Sequence, residues 1–189
     1  MDVHLSSSDI FEYNKDELDA EGLRNYPVLQ KLSHVASSDM QEQDFLARCK
    51  TINEIINKIR MGSLKKLNIA MGVNTKDVEK LQTLKLLQGI LNLTEAILEQ
   101  NEEQSALKHA NELANFNSSN LKLAALFINN DLRNSEAHEA VDKSIGHLAK
   151  LGFDSATLAS GYSHALDFLF DKIIESLECI NIALNKVLQ

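Results

Sequence analysis

Leu121-Lys-Leu-Ala-Ala-Leu-Phe-Ile-Asn-Asn-Asp-Leu-Arg-Asn-Ser-Glu-Ala-His138 decides how the chain is read. Up to Ile128 it is the most apolar run in the sequence. From Asp131 it turns polar, and Arg133, Asn134 and His138 follow within six residues. A helix that is buried and then meets a cation, an amide and an imidazole places polar chemistry at the edge of a core. Imidazole exchanges protons near neutral pH. Guanidinium offers a planar fork of donors to phosphate oxygens. On one regular helix, Arg133 and His138 would point about 140° apart. Convergence therefore requires that the helix bends or ends inside the motif, or that a second copy completes the site across a two-fold axis.

Downstream, Val141, Ile145 and Leu148 keep helical spacing until Gly152. Asp154 then starts a final helix expected to reach Leu188, with an apolar residue every third or fourth position and a length on the order of 50 Å. Gly161 is a place where it would kink. Upstream, Asn115 to Ser119 reads as a turn. Before it, Asn101 with Gln104 caps a helix carrying Ala106 to Phe116, and Asn74 with Asp77 opens one that runs to about Gln100. The apolar set from Val78 to Leu98 is too wide for one stripe, which implies burial on two sides or a subunit interface. Gln41 to Met61 carries another stripe: Phe45, Leu46, Cys49, Ile52, Ile55, Ile56 and Ile59. Gly62 and Gly72 read as C-terminal caps that bracket a short helix from Ser63 to Met71. The fold class is all-α: an up-and-down helical bundle over residues 41–189, with a long C-terminal helix and additional N-terminal helices.

Residues 1–40 read as a partly ordered extension. Asp9 and Glu12 have the form of a helix start, Pro27 marks a break or another start, and Ser37-Ser38-Asp39 reads as the next cap.

The 189 residues fit one domain with an extension. A single Pro, few Gly and 5% aromatics favour helices. No apolar run is long enough for a membrane span, and the acidic, Ser-rich start is unlike a signal peptide. Cys49 and Cys179 lack metal-site spacing and read as buried thiols of a reducing compartment, with a disulfide as the other option. The expected location is cytoplasmic.

A net charge of −8 argues against a nonspecific nucleic-acid binder. The charge is uneven, however. Residues 1–45 are acidic, while Lys58, Arg60, Lys65 and Lys66 lie in a basic segment spanning 50–85. Those four are the candidate RNA-binding residues; solvated helix faces are the alternative. His109 and Glu112 have half of a di-metal spacing with no second copy, so they read as a surface pair rather than ligands. His147 and His164 have no evident partners. The sequence contains no Gly-rich phosphate loop and no nucleophile elbow.

Arg133, the polar Asn134 directly after it, and His138 resemble the motif of the HEPN superfamily (higher eukaryotes and prokaryotes nucleotide-binding). The resemblance covers the motif and about residues 75–189. It implies an all-α bundle, a homodimer, and a ribonuclease site in the dimer cleft that needs no metal and no cofactor. Such domains occur in toxin–antitoxin, abortive-infection and CRISPR-associated proteins, so the implied partners are an RNA substrate, an antitoxin or a larger defence complex, and no membrane. Some relatives carry a Tyr two residues after the motif His. Ala140 stands there in this chain, which does not support that regulatory modification.

On this reading Arg133 would hold the scissile phosphate, His138 would move protons, and Asn134 would orient Arg133 or bind substrate. The competing expectation is a non-catalytic helical module that dimerises through the Leu-rich face of 78–98 or through the last helix, as an antitoxin, regulator or scaffold.

Overall fold

The computed structural model describes residues 12–32, 37–100, 108–134 and 138–187. The chain is all-α, with no strand among the described residues. In order, the α-helices are α1 (Lys15–Glu21), α2 (Pro27–Leu32), α3 (Glu42–Ile56), α4 (Met61–Ala70), α5 (Thr75–Glu79), α6 (Thr83–Gln100), α7 (Ala110–Ala114), α8 (Ala124–Asn134), α9 (His138–Lys150) and α10 (Ser163–Val187). They cluster into two compact units. Unit 1 gathers residues 59–124 and the chain from Glu175, and unit 2 gathers residues 14–58 and 125–174. No described helix is long and apolar enough to cross a membrane.

In unit 1, α6 packs against α4 and α7. Its buried residues include Leu86, Leu87, Gln88, Ile90, Leu91, Leu93 and Thr94, which wrap most of its circumference. The wide apolar set is thus used inside the chain, and the expected dimer face along 78–98 is mostly covered. A polar row on α6, spaced at three and four residues, holds the turn after α7. Lys85 Nζ donates to the Phe116 carbonyl at 2.6 Å, Gln88 Nε2 to that of Asn115 at 2.8 Å, and Asn92 Nδ2 to that of Ala114 at 2.8 Å. Glu95 accepts from Asn120 Nδ2 at 3.1 Å and from Lys122 Nζ at 2.5 Å. The turn itself begins where Asn115 adopts a left-handed conformation, φ 39°, which Asn tolerates better than most residues. Gly89 lets α4 approach: a Cβ there would lie 2.6 Å from Asn68 Oδ1 and would also run into the Phe116 ring. Asn68 donates from Nδ2 to the carbonyls of Leu64 and Leu86, tying α4 to the first turns of α6.

Unit 2 is built on α3, α8, α9 and the first half of α10. Their buried residues follow helical periodicity: Phe45, Cys49, Ile52 and Ile56; Ala125, Ile128, Asn129 and Leu132; Val141, Ile145 and Leu148; Ala165, Leu166, Leu169 and Ile173. Phe153 and Phe168 meet at 5.5 Å between ring centres. The connector before α3 is tied to the start of α10. Tyr162 N donates to the Met40 carbonyl at 2.9 Å, its hydroxyl donates to Glu42 at 3.1 Å, and its ring stacks on Phe45 at 5.3 Å.

Several boundaries differ from the sequence reading, each for a local reason. The final helix does not run from Asp154. Asp154 does cap, accepting from Ala156 N, but what it caps is a 3-10 segment, Ser155–Ser160. Gly161, at φ 122°, breaks the chain direction before α10. The 25 residues of α10 give about 37 Å rather than 50. Asn74 caps only the short α5, accepting from Lys76 N, and the helix restarts at Thr83. Gly62 lies in the first turn of α4 and caps nothing, whereas Gly72 takes the positive φ (91°) of a helix end. Ser37 to Asp39 do not cap α3: its N-cap is Gln41, without a side-chain bond. Pro27 does start a helix. The expected caps at Asp9 and Asn101 lie outside the described residues.

Candidate nucleic-acid site

α8 is described as far as Asn134 and α9 from His138, and residues 135–137 of the motif lie outside the described residues. Arg133 and Asn134 are exposed in the last turn of α8. The His138 side chain lies outside the described residues.

Arg133 and Asn134 line an open pocket of about 400 Å³ in unit 2. Its other wall is one face of α3, with Lys50, Asn53 and Glu54, continued by Asn57 at the helix's C-cap. These four sit at positions i, i+3, i+4 and i+7, within about 100° of helix arc. Asn53 is itself buried at 4% exposure, and Lys50, Glu54 and Asn57 lie exposed beside the buried stripe of Cys49, Ile52 and Ile56, so the pocket opens directly beside the core of unit 2. The pairing of the two helices is set one turn deeper. Asn129, fully buried and four residues before Arg133, donates from Nδ2 to the Cys49 carbonyl at 3.3 Å. Asn129 Oδ1 has no hydrogen-bond partner among the described residues. Burial pushes the Cys49 thiol far above the usual thiol range. Cys49 is inert by that measure, and both cysteines are free. Cys179 is half-buried, not buried as expected.

Two cations and one carboxylate reach this pocket, with three amides between them. Among the described residues no ion pair engages Arg133, Lys50 or Glu54. The pocket therefore offers a guanidinium fork and an ammonium to an anion, and amides that both donate and accept. Nothing in the sequence singles out Asn53 and Asn57, and Lys50 stands at the start of the basic segment spanning 50–85. Amides inside a helix look like solvated surface until a tertiary contact shows otherwise.

None of the four candidate RNA-binding residues lines this pocket. Lys58 follows α3 in unit 2 and is half-buried. Arg60, Lys65 and Lys66 belong to unit 1. Lys65 Nζ donates to the Glu79 carbonyl at 2.8 Å, at the end of α5, which gives it a structural task as a cation at a helix C-terminus. Arg60 and Lys66 are exposed. His109 and Glu112 form an exposed pair at 3.6 Å, as a surface pair should. His147 is half-buried and His164 exposed. Among the described residues no three of His, Cys, Asp and Glu gather as a metal site would require.

No family model, curated protein or solved structure matches this chain.

Proposed function

We propose that the protein is an endoribonuclease that cuts RNA without a metal, with Arg133, Asn134 and His138 as its working groups, as the resemblance to HEPN proteins implies. The observation that supports this most is the pocket in which Arg133 and Asn134 stand with Lys50. In the reaction, the ribose 2′-oxygen attacks the adjacent phosphorus and gives up its proton to a base. The O2′–P bond forms, the P–O5′ bond breaks, and the departing 5′-oxygen takes a proton from an acid. His138 supplies one of these proton transfers, and in a two-fold dimer the two copies of His138 divide them. Arg133 binds the phosphate and offsets the charge that builds on it. Asn134 orients Arg133 or binds the substrate. A toxin or antiphage-defence role, a homodimer and a neutralising antitoxin complete the proposal. The test is chemical. RNA and DNA of one sequence are incubated with the protein in EDTA. Cutting of the RNA alone, with 2′,3′-cyclic phosphate ends, supports the reading, and cutting of both or of neither refutes it.

A second reading, a non-catalytic interaction module, draws on an apolar groove in unit 1. Leu64, Leu67, Leu87, Ile90, Leu177 and Leu184 line it, with a volume of about 210 Å³. Ile182, 54% exposed, adds apolar surface on the same stretch of α10. Under this reading the folded protein self-associates and cuts no RNA.

A further inference from the structure

The motif residues account for one wall of the pocket in unit 2. The other wall is α3, and no part of the motif explains why it carries these side chains. Lys50, Asn53, Glu54 and Asn57 share one face, and each lines the pocket. A volume of about 400 Å³ falls in the range that encloses a small ligand or one nucleotide. Lys50 and Arg133 come from helices far apart in sequence, which the Asn129–Cys49 bond holds together across 80 residues. Both cations lack an ion-pair partner among the described residues, although Glu54 lies one helical turn from Lys50. A lysine and an arginine that leave a nearby carboxylate unpaired keep their charge for an anion.

We infer that the α3 face is the second half of an RNA-binding site, with Lys50 contacting a phosphate of the single strand next to the one at Arg133. The inference rests on the ribonuclease reading for its ligand. The exposed Asn57 supplies an amide donor and acceptor between the two phosphates, in reach of a ribose or a base edge, while the buried Asn53 only lines the pocket. Glu54 limits how much negative charge the pocket accepts, and it accepts hydrogen bonds from an exocyclic base amine. The site thus takes a nucleotide with one phosphate on each side in preference to a compact polyanion.

The experiment measures binding without cleavage. A labelled single-stranded RNA, fully 2′-O-methylated so that the internal nucleophile is blocked, is titrated with the full chain in EDTA at several salt concentrations, and fluorescence anisotropy is read. Lys50→Ala is expected to weaken binding about tenfold at low salt and to flatten the slope of log K against log salt by about 0.7, the value of one single-strand phosphate contact. Glu54→Gln is expected to tighten binding. Lys150→Ala, an exposed charge at the end of α9, is expected to leave both quantities unchanged. Circular dichroism checks that each variant is folded. Lys50→Ala binding like wild type overturns the inference, as does the absence of binding by folded wild type, or an equal loss in Lys150→Ala. Cleavage of unmodified RNA is scored separately. Lys50-dependent binding without any cleavage keeps this site and removes the ribonuclease reading. Cleavage with Lys50-independent binding does the reverse.

Discussion

Asn129 Nδ2 donates to the Cys49 carbonyl at 3.3 Å, and the same amide leaves its oxygen buried without a partner. The two halves of the side chain act in opposite directions. The bond to a backbone carbonyl contributes about 1 kcal/mol, while a buried unsatisfied oxygen costs about 1–3 kcal/mol. Replacement by an apolar residue of similar size removes both. Asn129→Leu is therefore expected to change stability by less than about 1.5 kcal/mol in either direction, as volume-conserving core exchanges do. Asn129→Asp keeps the shape but brings a carboxylate into the core, and is expected to cost about 3 kcal/mol or more. Urea denaturation of the two variants checks the contrast. If Asp is tolerated as well as Leu, Asn129 is not buried in solution.

Gly161 joins the 3-10 segment to α10, and its φ of 122° lies where only glycine is at ease. A Cβ there would also stand 2.9 Å from the Ser38 carbonyl oxygen, which is backbone and cannot rotate away. Gly161→Ala is expected to destabilise the fold by about 1–3 kcal/mol. Thermal melting beside Gly152→Ala, whose Cβ would meet open space, separates the close contact from the backbone strain. Equal losses in both would mean that the contact with Ser38 contributes nothing.

Burial holds the Cys49 thiol protonated well above its usual range. The sign of the resulting pH dependence follows from proton counting. Below the ordinary thiol pKa of about 8.5 both folded and unfolded chains keep this proton, and stability is undiminished. As pH rises further, the unfolded chain releases it and the folded chain does not, so stability falls. Denaturation at about pH 7 and about pH 9.5 is expected to show this fall, and Cys49→Ala to reduce it. In native protein a thiol reagent is expected to modify the half-buried Cys179 first, with Cys49 reacting only as the chain opens. Equal, rapid labelling of both would contradict the burial.

The helices were legible because their stripes are regular. Phe45, Cys49, Ile52 and Ile56 on α3, and Val141, Ile145 and Leu148 on α9, are buried at the expected positions. The ends were legible where chemistry is local, as at Pro27, Gly72 and Asp154. They failed where contacts across the chain decide. Gly161 was legible as a place for a kink, but the periodicity through 154–188 has no mark for the 3-10 segment before it or for the close approach of the Ser38 backbone, more than a hundred residues away. Of the pocket, the sequence made only Arg133 and Asn134 legible, because they are neighbours in the chain; Lys50, Asn53 and Asn57 reach them only through the pairing of α3 with α8. Within the basic segment, the bond from Lys65 to the Glu79 carbonyl at the end of α5 joins residues fourteen apart, and no local pattern announces it.

The central claim is that Arg133 and His138 perform the cleavage, and one comparison tests it most directly. A labelled RNA is incubated in EDTA with wild type, Arg133→Ala and His138→Ala, each shown by circular dichroism to be folded. The account predicts cleavage by wild type and a loss of at least about 100-fold in each variant, the scale of removing an acid–base group or a charge-stabilising donor. Cleavage at the wild-type rate in both folded variants would contradict it.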